Sequence, residues 1–561
     1  VRTVALPRRI STDFKRSTNL DPAGYNWALS RWLFFLAPKT KRSAHLIPSR
    51  KTLSLDVFRR LARWTVAVLA SGGWCAAGEG ARADELIRAA RELHASYVAQ
   101  LGELAAWCDQ QGLAEQARIT RQWMGQRDPN KLYVADLPRA IGRPELPPDT
   151  PANVVEWDRR FWQLRRQQAK QLEALARRAV RADRASLAFD LAMGAIREDP
   201  DFESIRRLLG YQKFRNGWYT LYEVEKLKSG QVWHDQFGWL PAKYLRRYQQ
   251  GERWTPKGWA SAEEDARLRR DITVGWDVET EHYAIRTNHS LEGGVQLGVK
   301  LEQLFRVWRE LFIRYYATPA QVADLFDGRS RKKPTPFPRL QVVYFRDRDD
   351  YVRGLPILFP QLKKEVVGMS EGVYIADAKR AFFFASKEQN DRTVYHEATH
   401  QLFHQTRPVA NDVGMRANFW IVEGIAMYME TLRREDGFLV LGGFDDARIL
   451  AARYRLLNDR FYVPLAEFAA LSLQKLQGDP RIATLYSQAA GLTQFLVHYD
   501  GGRYRDALVA YLSAVYSGAD SPTLLSKLTG TSFAELDKQY REYIESAGPV
   551  VLPTAQEPAE K

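Results

Sequence analysis

The segment that most restricts how this chain can fold is a short one. Residues 392–404 read Arg-Thr-Val-Tyr-His-Glu-Ala-Thr-His-Gln-Leu-Phe-His, and His396, Glu397 and His400 within them form H-E-x-x-H. On a helix, positions i and i+4 share a face, so both imidazoles can reach one metal ion. Glu397 stands one residue past the first imidazole, beside the ion but outside its ligand set. A carboxylate there serves as general base toward water. Two histidines leave the set incomplete, because a catalytic zinc takes three protein ligands. A third histidine on a continuation of the motif would need Gly at 403 and His at 406, and the chain has Phe403 and Thr406. The other option is a glutamate from a second helix. Glu423 follows in Trp420-Ile421-Val422-Glu423-Gly424-Ile425-Ala426-Met427-Tyr428-Met429-Glu430. The interval from His400 to Glu423 fits the end of one helix, a turn and an antiparallel helix. The fold must therefore press two helices face to face.

H-E-x-x-H followed by W-x-x-E-G-x-A-x-Y-x-E resembles the gluzincin metallopeptidases, particularly the aminopeptidase N and leukotriene A4 hydrolase type. The resemblance implies a thermolysin-like catalytic domain and one Zn2+ held by His396, His400 and Glu423, with Glu397 as base. It also implies a tyrosine further along the chain that supports the tetrahedral intermediate. Tyr486, in Leu485-Tyr486-Ser487-Gln488-Ala489-Ala490-Gly491, matches that place. Residues from about 277 to 545 more closely resemble a family of secreted bacterial proteins with a gluzincin-like domain. Its phrases are matched by Thr280-Glu281-His282-Tyr283, Tyr395-His396-Glu397-Ala398-Thr399-His400-Gln401-Leu402 and Tyr499-Asp500-Gly501-Gly502-Arg503-Tyr504. The chain departs from the aminopeptidases where they hold the substrate amine with G-x-M-E-N, since Gly372-Val373-Tyr374-Ile375-Ala376-Asp377 stands there. This favours internal cleavage over removal of terminal residues. Met427 occupies the place where a thermolysin-like site has an Asp, which leaves the carboxylate that orients the histidines unassigned.

The net charge of +15 suggests a polyanion partner until it is divided along the chain. Residues 1–83 hold 15 Lys/Arg and 4 Asp/Glu, a net of +11, and leave +4 for the remainder. The body is near balance, so nucleic acid is not an expected partner. Arg59, Arg60 and Arg63 precede an apolar stretch from Trp64 to Ala77, and Ala81-Arg82-Ala83 follows. A basic region, an apolar region and an A-x-A site make a secretory signal peptide, cleaved near Ala83. Gly78-Glu79-Gly80-Ala81-Arg82-Ala83 also matches the dinucleotide fingerprint, but no second strand follows to complete that unit. Export to the periplasm, envelope or medium is therefore expected. The mature chain would keep one cysteine, Cys108, in an apolar helical stretch and so buried. No G-x-S-x-G elbow or phosphate loop is present, which leaves nucleophilic serine and phosphate chemistry without a motif.

The expected class is α+β, mostly helical. Residues 1–83 are a leader. Residues 84–204 form a helical domain, tetratricopeptide-like at best, with helices over about Asp84–Gln126, Val154–Arg181 and Ala185–Glu198. Residues 205–262, with Gly217-Trp218, Gly238-Trp239 and Gly258-Trp259, form a small aromatic-rich β module. Its rings are either its own core or a platform for glycan or peptide. Residues 270–545 are the peptidase-like domain, with a strand over Glu279–Asn288 and a helix over Leu291–Tyr316. A strand over Leu340–Phe345 and a hairpin over Glu371–Ala376 and Ala381–Ala385 follow, and helices run on to about Ile544. Residues 546–561 are a tail. His404 drifts about 80° around the helix from His396, so a contact supporting the ligands or plain packing is expected of it rather than ligation. His282, His289 and His498 are expected to be structural, as are Arg503 and Tyr504. Two functions are in view. One is an exported zinc peptidase acting on peptides or proteins. The alternative is a catalytically silent envelope-binding or scaffold protein, associated with the cell envelope through its N-terminal region.

Overall fold

The computed structural model describes residues 76–125, 127–139, 145–328, 338–386 and 391–548, with side chains from Glu85 onward. The basic region and most of the apolar stretch of the expected signal peptide lie outside those residues, as does the tail beyond 548. The first helix, α1 (Ala76–Gln110), already contains Ala81–Ala83. Gly78–Ala83 thus lies inside a helix, not at a strand-to-helix turn. Among the described residues no helix is long and apolar enough to cross a membrane.

The class is α+β, mostly helical, with small sheets. After α1 come β1 (Lys131–Ala135), α2 (Ala152–Arg181) and α3 (Ala185–Glu198). Cys108 is fully buried and free. Residues 211–261 then fold as three successive hairpins: β2 (Tyr211–Phe214) with β3 (Gly217–Thr220), β4 (Gln231–His234) with β5 (Gly238–Pro241), and β6 (Glu252–Thr255) with β7 (Gly258–Ser261). Each hairpin leads into a short helix. Thr220 and Ser261 cap the first and third of these by accepting from the Glu223 and Glu264 amides.

A central sheet of five strands follows. The expected strand over 279–288 is a hairpin, β8 (Trp276–Glu279) and β9 (Tyr283–Thr287). β10 (Leu340–Phe345) pairs in parallel with β9 on one side and with the strand Arg380–Phe384 on the other, with Val343 opposite Arg286 and Phe382. A strand flanked on both sides and covered on both faces should read as an apolar run, and Leu-Gln-Val-Val-Tyr-Phe does. β11 (Val373–Ile375) closes the sheet antiparallel to that flanking strand, β12 (Arg380–Phe384). The order is therefore β11-β12-β10-β9-β8. One face carries α4 (Leu291–Leu311), whose Leu297, Leu301, Leu304 and Trp308 are fully buried. The other carries the helix Arg348–Leu358, whose Tyr351 and Leu355 pack with Val343, Phe345 and Phe382.

Past β12 the described residues are helical and loop except for one further hairpin, β13 (Arg433–Glu435) and β14 (Phe438–Gly442). β14 also pairs with β1, so a segment from far upstream completes this sheet. The main apolar core likewise runs without a break from Leu86 through α2 and α3 into the central sheet and on to Ile544. Phe189 of α3 meets Phe326 edge to face at 5.5 Å, and Arg505 pairs with Asp190.

Candidate metal centre

The H-E-x-x-H segment lies on α5 (Asp391–Gln405), and Glu423 lies on α6 (Phe419–Met429). α6 is buried along its whole length. A helix apolar on all sides belongs inside the core, and Glu423 is its one charge. Its start is fixed by Asn418, a left-handed residue (φ 58°) whose side-chain amide donates to Asp520 Oδ2 at 2.6 Å and accepts from the Tyr511 hydroxyl at 2.6 Å. Behind it lies α7 (Ile482–Gly502). A Cβ at Gly424 would stand 2.6 Å from Thr493 Oγ1 and 2.9 Å from the Ala489 carbonyl, so only glycine permits this approach.

His396 and His400 face each other with their Nε2 atoms 3.1 Å apart. The Glu423 carboxylate completes the group, with Oε2 3.5 Å from His396 Nε2 and Oε1 3.8 Å from His400 Nε2. Ligand atoms placed about 2.0–2.1 Å from one tetrahedral ion stand about 3.3 Å from each other, and the three distances bracket that value. This buried group can hold a metal ion.

The carboxylate that orients His396 is Glu430. His396 Nδ1 donates to Glu430 Oε1 at 2.8 Å, which leaves Nε2 with a lone pair toward the group. Arg448 Nε holds the other oxygen at 2.6 Å. Burial pushes the Glu430 carboxyl up, but Arg448 and His396 outweigh it and hold its pKa low. Glu430 closes the segment read from Trp420 onward. It stands two helical turns past Glu423 and so on the same face, and that spacing is the signal for it. Met427, at the place of the thermolysin-type Asp, is simply buried.

Two carboxylates, Glu423 and Glu430, therefore meet at His396 in the protein interior, against one guanidinium. Burial opposes the charged form of His396, yet hydrogen bonds to Glu423 and Glu430 push its pKa up to about 10. The carboxylates draw a proton where a cation fits, and an ion bound there would replace it. His400 goes the other way, its pKa lowered by burial and by its histidine neighbours. Burial raises Glu397 to about 7. Glu397 Oε2 accepts the Tyr374 amide of β11 at 2.8 Å, which ties the edge of the sheet to the helix.

Tyr486 is fully buried on α7, within the core and on the helix that backs α6. His404 stands between Tyr374, at 5.6 Å between ring centroids, and Tyr516, at 5.3 Å. Its role is packing, and burial lowers its pKa to about 4. His282 bonds Glu302 at 2.8 Å, His289 meets Tyr344 edge-on, and His498 accepts from the Tyr428 hydroxyl. Tyr499-Asp500-Gly501 break the helical geometry near the end of α7, before α8 (Arg505–Ser517), with Asp500 and Gly501 left-handed. Arg503 and Tyr504 follow it as structural residues, Tyr504 donating to Gln539 at 2.7 Å. The chain matches no protein-family model, no curated protein and no solved structure, so the reading of this site rests on its own geometry.

Proposed function

We propose that the chain is an exported zinc-dependent metallopeptidase with a thermolysin-like catalytic domain that cuts peptide bonds internally. The observation that carries the reading is the buried group His396, His400 and Glu423, oriented by Glu430, with Glu397 one residue from the first ligand. Two imidazoles and a carboxylate are the ligand chemistry of a hydrolytic zinc site. Such an ion supplies Lewis acidity to a scissile carbonyl and lowers the pKa of water. Glu397 takes the proton from the attacking water and delivers it to the leaving amine. β11 forms the outer edge of its sheet, and Glu397 accepts its Tyr374 amide. The resemblance assigns Tyr486 as donor to the developing oxyanion.

The test begins with elemental analysis of the purified protein beside His400→Ala. About one zinc per chain is expected, lost in the variant. Glu397→Gln should keep the metal and reduce peptide hydrolysis by roughly 100-fold or more. A well-folded protein that takes up no metal when zinc is offered would sink the reading and favour the silent, binding alternative.

A further inference from the structure

The hairpin array has features that covering a sheet does not require. Its three units repeat at an even spacing. Gly210, Gly230 and Gly251, all with positive φ, precede the first strands, and Gly217-Trp218, Gly238-Trp239 and Gly258-Trp259 open the second strands. The Ala242 amide returns to the Gly230 carbonyl, and the Ala262 amide to that of Gly251. The array packs against the β8 side of the central sheet, away from β11. Trp276 Nε1 donates to Asp265 at 2.7 Å and Arg253 pairs with Glu292 at 2.7 Å.

Residues 211–261 hold 9 Lys/Arg and 4 Asp/Glu, a net of +5. Residues 84–561 as a whole carry +4, so the basic excess of the body lies in this array. Part of the charge is used internally: Arg247 pairs with Glu252, Arg253 with Glu292 and Lys213 with Asp201. Lys243, Arg246 and Lys257 are exposed and have no acidic partner among the described residues. They flank one aromatic cluster. Tyr244 stacks on Trp254 at 5.6 Å, Trp259 meets both rings edge-on, and Lys243 Nζ lies 5.3 Å from the Tyr244 ring centre. Trp254 is 45% exposed, with Tyr244 against one face and the other open.

We propose that the array binds a uronate-bearing polysaccharide, with the indole of Trp254 against the flat C–H face of a sugar ring and Lys243, Arg246 and Lys257 toward its carboxylates. An exposed indole with three unpaired cations within three residues of its aromatic cluster fits a polymer that carries both flat sugar faces and carboxylates. A single-stranded nucleic acid would need a row of open rings to stack its bases, and Trp254 is the one ring of the array with a broadly exposed face. The inference is independent of the metal centre.

The experiment measures binding of the full chain to polygalacturonate at low and moderate salt. Methyl-esterified polygalacturonate, a poly-dT oligonucleotide and poly-glutamate serve as competitors. Trp254→Ala and the pair Lys243→Glu with Lys257→Glu should each weaken polygalacturonate binding about tenfold or more, with unchanged circular dichroism and melting temperature. The uncharged ester should compete poorly. Absence of binding at low salt overturns the proposal. So does binding that survives both variants, which would belong to the other basic segments. Tighter binding of the oligonucleotide or of poly-glutamate would overturn it in favour of those partners.

Discussion

Glu430 shows how much of the centre depends on one side chain outside the group His396, His400 and Glu423. It fixes the tautomer of His396, and Arg448 keeps it ionised. Glu430→Gln should lower metal affinity about 10- to 100-fold, read by competition with a chromogenic chelator, while the fold survives. The two histidines and Glu423 are legible in the sequence because helical periodicity and a turn suffice to bring them together. Glu430 belongs to the same segment, yet nothing local assigns it a partner. Its anchor, Arg448, comes from a third helix, and no local pattern announces a contact that skips two strands. Tyr486 is legible only through resemblance. The structure shows it buried in the helix behind the site, and its assignment as donor awaits Tyr486→Phe. That variant should keep the metal and lose turnover by roughly 100-fold, measured on the same peptide substrate.

At the scale of elements, the close crossing of α6 and α7 is what holds Glu423 in place. Gly424→Ala should push the helices apart, cost about 1–3 kcal/mol of stability, and reduce metal content in proportion. Thermal melting and elemental analysis of the one variant check both. Long amphipathic helices such as Ala152–Arg181 and Ala185–Glu198 are readable from their periodicity almost to the residue, and so is the apolar strand Leu340–Phe345. The hairpin array shows in the sequence only as aromatic and β-rich. Its strands are too short for alternation to register, since β2 ends at Phe214 only a turn after it starts at Tyr211. Regularly placed glycines are the stronger signal. β1 leaves no mark in the sequence because it pairs only with a strand far downstream, whereas the β13–β14 hairpin has a local signal, the Asp436-Gly437 turn with both residues left-handed.

Across the whole molecule, helices from the N-terminal third share one core with the half that carries His396, His400 and Glu423, and buried charge sits where they meet. Glu310 of α4 is one example: it lies 3.6 Å from Arg306 without a hydrogen bond, beside a small cavity shared with Asp190 and Arg505. Burial raises its pKa. A raised carboxyl pKa means the folded state holds the proton more tightly than the unfolded one. Its contribution is therefore complete below the ordinary value of about 4.3 and is lost as pH rises through the folded value. Glu310→Gln should thus gain in melting temperature relative to the native chain as pH rises from the ordinary glutamate range toward neutrality, as scanning calorimetry across that range would show. The pairing of β1 with β14 has a consequence in time. During synthesis Lys131–Ala135 leaves the ribosome long before Phe438–Gly442. At roughly 5–20 residues per second, the earlier strand waits about 15–60 s for its partner. For that interval the nascent chain carries an unsatisfied strand edge and an open core, a state that chaperones can hold and an export channel can still thread.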